Sequence, residues 1–171
     1  MIKAAESKKA ILVLDIQEIC VGKNHAKIFR YDKNLIGKAN KIIASNDLVI
    51  YIRTLLKNNF FCKLSPIRVF DGTKQAELVE NLIKKGDIVF DKYRGNAFSN
   101  SELLKYLRAH NINTVEIIGL DGAGCVFKTA LGALNNNLKV IINTTAVDTM
   151  FKRRQKRLFK LLQQKGVTFT N

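Results

Sequence analysis

Three side chains in this sequence have the types and the placement for covalent hydrolysis: a carboxylate, Asp15, an ammonium, Lys92, and a thiol, Cys125. Each follows an apolar run that reads as a β-strand: AILVL before Asp15, DIVFD before Lys92, and TVEIIG running into GLDGAGCV (119–126), which carries Cys125. Ligands of a doubly wound sheet gather at the carboxyl ends of its strands, so the three positions share the edge where sites form. A thiolate attacks carbonyl carbons, a carboxylate beside it can take the thiol proton and return it to a leaving group, and an ammonium favours both anions.

Each residue also has a plainer reading. Cys125 falls in the first turn of a helix entered through Gly119, Gly122 and Gly124. A helix N-terminus favours a thiolate and offers N–H groups to an oxyanion, yet a free cysteine is as commonly a small buried hydrophobe. Asp15 ends an apolar strand, where a carboxylate is costly unless paired or working, and the structural alternative is a loop cap. A lysine following a strand is in isolation a solvent-facing charge. The glycines read G-x-x-G-x-G and no Gly-Lys-Ser/Thr follows, which disfavours a nucleotide.

The elements that must position these groups show in the hydropathy. Strand candidates are 10–15, 47–53, 87–91, 114–119, 138–143 and 167–170, rich in Val, Ile and Phe, several without polar alternation. Such strands are covered on both faces, as in a parallel sheet. Helical periods fall between them at 32–46, 74–85, 99–111, 125–136 and 149–165, with Ser99 or Ser101 as an N-cap and Asn111 and Gly86 as stops. The alternation predicts an α/β fold: a three-layer αβα sandwich around a doubly wound, mainly parallel six-stranded sheet of order 3-2-1-4-5-6. That order sets Asp15 beside Cys125 and leaves the third strand at the edge, so that Lys92 must reach inward on its loop. The long irregular stretch 54–73 holds Pro66, the single proline, and connections of that length are often functional. One domain over 1–171 is expected, ending in a basic amphipathic helix (149–165) and a short last strand.

Charge and composition exclude several classes. Lys and Arg total 29 against 14 Asp and Glu, a net charge of +15, spread along the chain. From Lys152 to Lys160 six of nine residues are basic, which fits either a solvated helix face or a contact with an anionic partner such as RNA, a membrane surface or an acidic subunit face. No zinc-knuckle spacing or aromatic nucleic-acid signature accompanies it, so nucleic acid is not the favoured partner. The longest apolar runs are five residues, too short to span a membrane. Three cysteines, Cys20, Cys62 and Cys125, without an export signal are expected as reduced thiols in a cytoplasmic protein.

LVLDIQ, then Lys92, Arg94, Ala97 and Phe98 as K-x-R-x-x-A-F, then GLDGAGCV followed by TALGAL, resembles the isochorismatase-like cysteine hydrolases, in order and spacing over about 10–148. TTAVDT (144–149) looks like that family's late strand-to-loop element around Asp148. The family includes nicotinamidases and other amide or carbamoyl hydrolases. The resemblance implies an Asp15–Lys92–Cys125 triad, a cis peptide at Leu120–Asp121, an oxyanion hole from the Asp121 and Cys125 N–H groups, a small amide, ureido or related C–N or ether substrate, and a homo-oligomer. Gly122 and Ala123 depart from the Thr and acidic residue usual in the family. Nicotinamidases hold a metal through an Asp-x-His pair and a further His or Glu after the second strand. Here 53–70 has no His and no acid, and His25 and His110 lack ligand spacing, so neither a metal nor another cofactor is expected.

Gln17, Arg53, Tyr93, Arg94 and Phe98 lie near the triad in sequence or at the same sheet edge and are candidates for the substrate wall. Arg53 or Arg94 could grip a substrate carboxylate bidentately or serve as a surface or interface arginine. Cys20 and Cys62 read as packing residues, although Cys20 lies on the loop leaving Asp15. The alternative to an enzyme is a drifted hydrolase fold that binds an anion or nucleic acid.

Overall fold

Ala10–Leu14 is apolar at every position and wholly buried, and a strand covered on both faces belongs at the centre of a sheet. The computed structural model describes residues 8–23, 25–64 and 67–171, so Pro66 lies outside the described residues. The strands are β1 (Lys8–Leu14), β2 (Val49–Thr54), β3 (Val89–Lys92), β4 (Ile112–Gly119), β5 (Lys139–Val147) and β6 (Thr168–Thr170). They form one sheet of order β3-β2-β1-β4-β5-β6 in which every pairing is parallel, the predicted order.

The helices are α1 (Glu18–Val21), α2 (Leu35–Ala44), α3 (Phe60–Lys63), α4 (Ser101–Ala109), α5 (Cys125–Asn135) and α6 (Lys152–Gln164). Alternate residues of β1 point to opposite layers. Ala10, Leu12 and Leu14 pack with Leu103 and Leu107 of α4, Val126, Ala130 and Ala133 of α5 and Leu162 of α6. Ile11 and Val13 face Ile36, Ala39 and Ile43 of α2 together with Leu78, Val79 and Leu82. Asn100 caps α4, its side chain accepting from the Glu102 N–H at 3.0 Å, where Ser99 or Ser101 was expected. Asn111 closes α4 in the left-handed region at φ 55°.

The helix expected over 74–85 does not form. Only a 3₁₀ turn, Lys74–Ala76, is present, and the remainder is irregular. Ala76, Leu78, Val79 and Leu82 are buried at a spacing that imitates a helical period. Their main chain bonds to the loop after β1 instead: Glu18 N donates to Glu77 O at 2.9 Å, Val79 N donates to Ile16 O at 3.1 Å, and Leu78 makes an antiparallel bridge with Gln17. Buried peptide groups need partners, and here a neighbouring segment supplies them in place of the helix itself. The β2–β3 crossover thus covers its face of the sheet largely without a helix.

On α6 only Leu162 is buried. Arg153, Arg154, Lys156, Arg157 and Lys160 are exposed, and among the described residues no carboxylate pairs with them; Lys152 alone does so, with Asp148. Among the described residues no helix is long and apolar enough to cross a membrane.

Candidate active site

β1 ends where Asp15 adopts φ 55°, and β4 ends at Gly119 with φ 107°. Leu14 and Gly119 are register partners, and Leu120 N donates to Leu14 O at 2.9 Å. A Cβ on Gly119 would collide with the Leu14 carbonyl, so only glycine lets the two strands close up at this point. The Leu120–Asp121 peptide is cis. The turn that follows is held by the Asp121 carboxylate: Oδ1 accepts from Ala123 N and Thr149 Oγ1, each at 2.7 Å, and Oδ2 accepts from Tyr31 OH and Met150 N, each at 3.2 Å. The chain then enters α5 at Cys125. Gly122 N donates to Asp148 O at 2.8 Å, while the N–H groups of Asp121 and Cys125 have no acceptor among the described residues. The space a side chain on Gly122 would fill is taken by the Gln155 amide from α6.

Lys92, the last residue of β3, reaches across β2 to this turn. It does so from the strand itself, with its side chain wholly buried, where a loop position was expected. Its Nζ donates to Asp15 Oδ2 at 2.9 Å, to Cys125 Sγ at 3.3 Å, and to Thr54 Oγ1. Thr54 Oγ1 in turn donates to Asp15 Oδ1 at 2.8 Å.

The electrostatics define a resting state. Burial disfavours the Lys92 charge, but Asp15 and Cys125 outweigh it and hold the ammonium above its ordinary range. Burial first, then the Asp15 carboxylate, pushes the Cys125 thiol up to about 12, against the pull of Lys92. The lowered thiol expected from the helix N-terminus and Lys92 is therefore not what the site holds. At rest it contains an ammonium at Lys92 and a neutral thiol at Cys125. Cys20, on α1, is also pushed up, by burial and then by Asp15 and Cys125, which sets a second thiol in the field of the same groups. Tyr31, pushed up by burial and by Asp121, stacks on Phe29 with ring centroids 5.8 Å apart.

The candidate wall residues divide. Gln17 is buried and wholly committed to main chain: Nε2 donates to Thr54 O at 3.0 Å and Ala76 O at 2.7 Å, and Oε1 accepts from Thr54 N at 2.8 Å. Arg53 neighbours Thr54 on β2 and so points to the other face of the sheet. Its guanidinium makes two bonds to its register partner Asp91, at 2.7 and 3.0 Å, and one to Glu77 at 3.1 Å. Of the two roles left open for Arg53, these partners favour the structural one over a grip on a substrate carboxylate. Tyr93 and Arg94 are exposed beyond the end of β3. Phe98 packs against the core shared with α4 and α5. Thr54 and Tyr31 were not among the expected site residues. Thr54 sits one position past the predicted second strand and so lies, like the triad, at a strand's carboxyl end, whereas nothing local to Tyr31 pointed to Asp121.

The model of the Isochorismatase domain matches residues 9–171. The chain belongs to the isochorismatase family. Members of this family are hydrolases. Among solved structures, N-carbamoylsarcosine amidase from Thermoplasma acidophilum is 26% identical with a TM-score of 0.80, the match covering 96% of each chain. An isochorismatase-like hydrolase from Alkaliphilus metalliredigens is 24% identical with a TM-score of 0.83, covering 96% of this chain and 94% of that one. Pyrazinamidase of Pyrococcus horikoshii, solved in complex with zinc, is 21% identical with a TM-score of 0.82, covering 96% and 99%. No curated protein matches the sequence closely enough to count as a relative. Leu55 and Leu56 follow Thr54 at the end of β2, and among the described residues of this isochorismatase-family chain no three His, Cys, Asp or Glu side chains converge to hold an ion.

Proposed function

We propose that this protein is a cysteine hydrolase of small amide, ureido or related C–N substrates, with Cys125 as nucleophile, Asp15 as proton shuttle and Lys92 as the cation that holds both. The observation that carries the proposal is the contact of the buried Lys92 side chain, through Nζ, with Asp15 Oδ2 at 2.9 Å and Cys125 Sγ at 3.3 Å. Structure alone seldom maintains a buried carboxylate and ammonium in contact beside a half-buried thiol, because removing charges from water costs several kcal/mol per ion, roughly.

In the first step the thiol proton passes to Asp15 as Sγ bonds to the substrate carbonyl carbon. The proton transfer neutralises the carboxylate, so the charge that, after burial, raised the thiol is gone and Lys92 faces the sulfur alone. The carbonyl oxygen becomes an oxyanion, received by the Asp121 and Cys125 N–H groups, which have no acceptor of their own among the described residues. As the tetrahedral intermediate collapses, the C–N bond breaks and the leaving amine takes the proton from Asp15. The acyl group remains on Cys125 as a thioester. A water then gives its proton to Asp15 and attacks the same carbon, releasing the acid and returning the proton to sulfur.

A panel of small primary amides and N-carbamoyl compounds, assayed by ammonia release and by intact-protein mass after rapid acid quench, tests this. The expected result is turnover with a transient mass increment on Cys125, both absent in Cys125→Ala. Turnover that survives Cys125→Ala would overturn it.

A further inference from the structure

Thr54 has no place among the three roles just assigned, yet it closes the hydrogen-bond ring. Lys92 Nζ has three protons and no lone pair, and its partners are Asp15 Oδ2, Cys125 Sγ and Thr54 Oγ1. An ammonium only donates, so Thr54 Oγ1 is the acceptor in that contact. The hydroxyl's one proton is then left for Asp15 Oδ1, at 2.8 Å. The direction of every bond in the ring follows from this count: two paths run from Lys92, one direct and one through the hydroxyl, and both end on Asp15. The carboxylate receives one donor on each oxygen and is pinned in rotation, leaving its remaining lone pairs for the thiol proton.

Gln17 fixes the hydroxyl in turn. Where the main chain of β1 turns away at Asp15, the Gln17 amide supplies the bonds a continued strand would have made, accepting from Thr54 N and donating to Thr54 O. We infer that Thr54, clamped by Gln17, is a positioning residue of the site, whose hydroxyl takes up the third Lys92 proton and orients the Asp15 carboxylate toward Cys125. The effect on turnover rests on the proposed function, but the effect on Lys92 does not.

The groups facing Lys92 are Asp15 from the end of β1, Thr54 from β2, Cys125 from α5 and, further off, Cys20 from α1. Thr54→Val keeps the shape of the side chain but strands one Lys92 N–H in a wholly buried setting and strips Asp15 Oδ1 of its donor. Thr54→Ser retains the hydroxyl. The readout is the pH titration of the Lys92 Cε signal by NMR in protein labelled with ¹³C-lysine, alongside iodoacetamide labelling of Cys125.

In Thr54→Val the Lys92 transition moves down by roughly one pH unit or more, and the Cys125 labelling rate at pH 7.5 changes by about tenfold, whereas Thr54→Ser keeps wild-type behaviour. Unchanged Lys92 titration in a folded Thr54→Val protein overturns the inference, as does failure of Thr54→Ser to restore it. If Thr54→Val does not fold, Thr54→Cys, similar in volume but a poor hydrogen-bond partner, takes the same measurement: a lowered Lys92 transition supports the inference and an unchanged one overturns it. A shifted Lys92 in a protein with no hydrolytic activity toward any substrate would support the inference on Lys92 while removing the proposed function.

Discussion

Replacing Lys92 by Met isolates what the buried cation contributes. Met fills nearly the same volume as the lysine stem, so no cavity opens, and the loss is electrostatic. In the wild type the wholly buried Lys92 side chain faces an Asp15 side chain only 7% exposed. Breaking such a pair from one side costs about 3–5 kcal/mol, because the remaining charge stays buried without its partner. Thr54 still donates to Asp15 Oδ1, which offsets about 1 kcal/mol and places the expectation near the lower end, about 3 kcal/mol at pH 8. With a urea slope of about 2 kcal/mol/M, the unfolding midpoint falls by roughly 1.5 M. The deficit has a pH dependence of its own, and its sign is fixed by Lys92. The ammonium is held above its ordinary range in the folded wild type, so its contribution is full below the unfolded lysine value of about 10 and is lost only as pH rises through its own titration. The deficit is therefore full and equal at pH 8 and pH 9. Urea unfolding followed by far-UV circular dichroism at those two pH values measures it. A midpoint shift that differs between them by more than about 0.5 M, or one below about 0.5 M at pH 8, refutes the reasoning.

Three further outcomes are expected. With the Cys125 thiol pushed up to about 12, its iodoacetamide labelling in the absence of substrate should climb about tenfold per pH unit from pH 6 to 9, and a plateau below pH 8 would show a resting thiolate instead. Arg53→Gln should leave kcat/KM within about twofold and cost about 1 kcal/mol in urea unfolding, since the partly exposed Asp91 and Glu77 are its partners; a raised KM would place the guanidinium in the substrate pocket. The exposed cations of α6, which have no carboxylate partner among the described residues, repel one another, so raising NaCl from about 0.05 to 0.5 M should raise Tm, and a flat or falling Tm would mean that acids elsewhere already neutralise them.

Much of the fold, and the three side chains that the structure brings together as a candidate site, is legible in the amino-acid sequence. The strands show as runs of Val, Ile and Leu because β1, β2 and β4 are buried over most of their length and carry little polar alternation. Asp15, Lys92 and Cys125 stand out because reactive side chains at the ends of such runs are expensive and therefore noticeable. What stays hidden does so for physical reasons. Residues 74–85 carry a helical spacing of apolar groups, but a period describes only which side chains are buried, and here the main-chain partners come from residues 16–18. Arg53 and Thr54 are adjacent, and arginine draws the eye as an anion ligand. The pleat sends one to Asp91 and the other to Asp15 and Lys92, a parity that needs the strand's register to resolve. The bond from Tyr31 to Asp121 joins residues 90 positions apart, beyond the reach of any local pattern.

The ring of bonds at the site joins residues separated by 77, 39, 38 and 33 positions, with none drawn from a single local segment. Loop closure must precede every one of these contacts, so during refolding the site forms only after β1, β2, β3 and α5 have docked. A chain that has collapsed and regained its helices still lacks the ring. Its Cys125 remains as open to a thiol reagent as a cysteine in the unfolded chain, and the moment at which that openness disappears times the assembly of the sheet's centre.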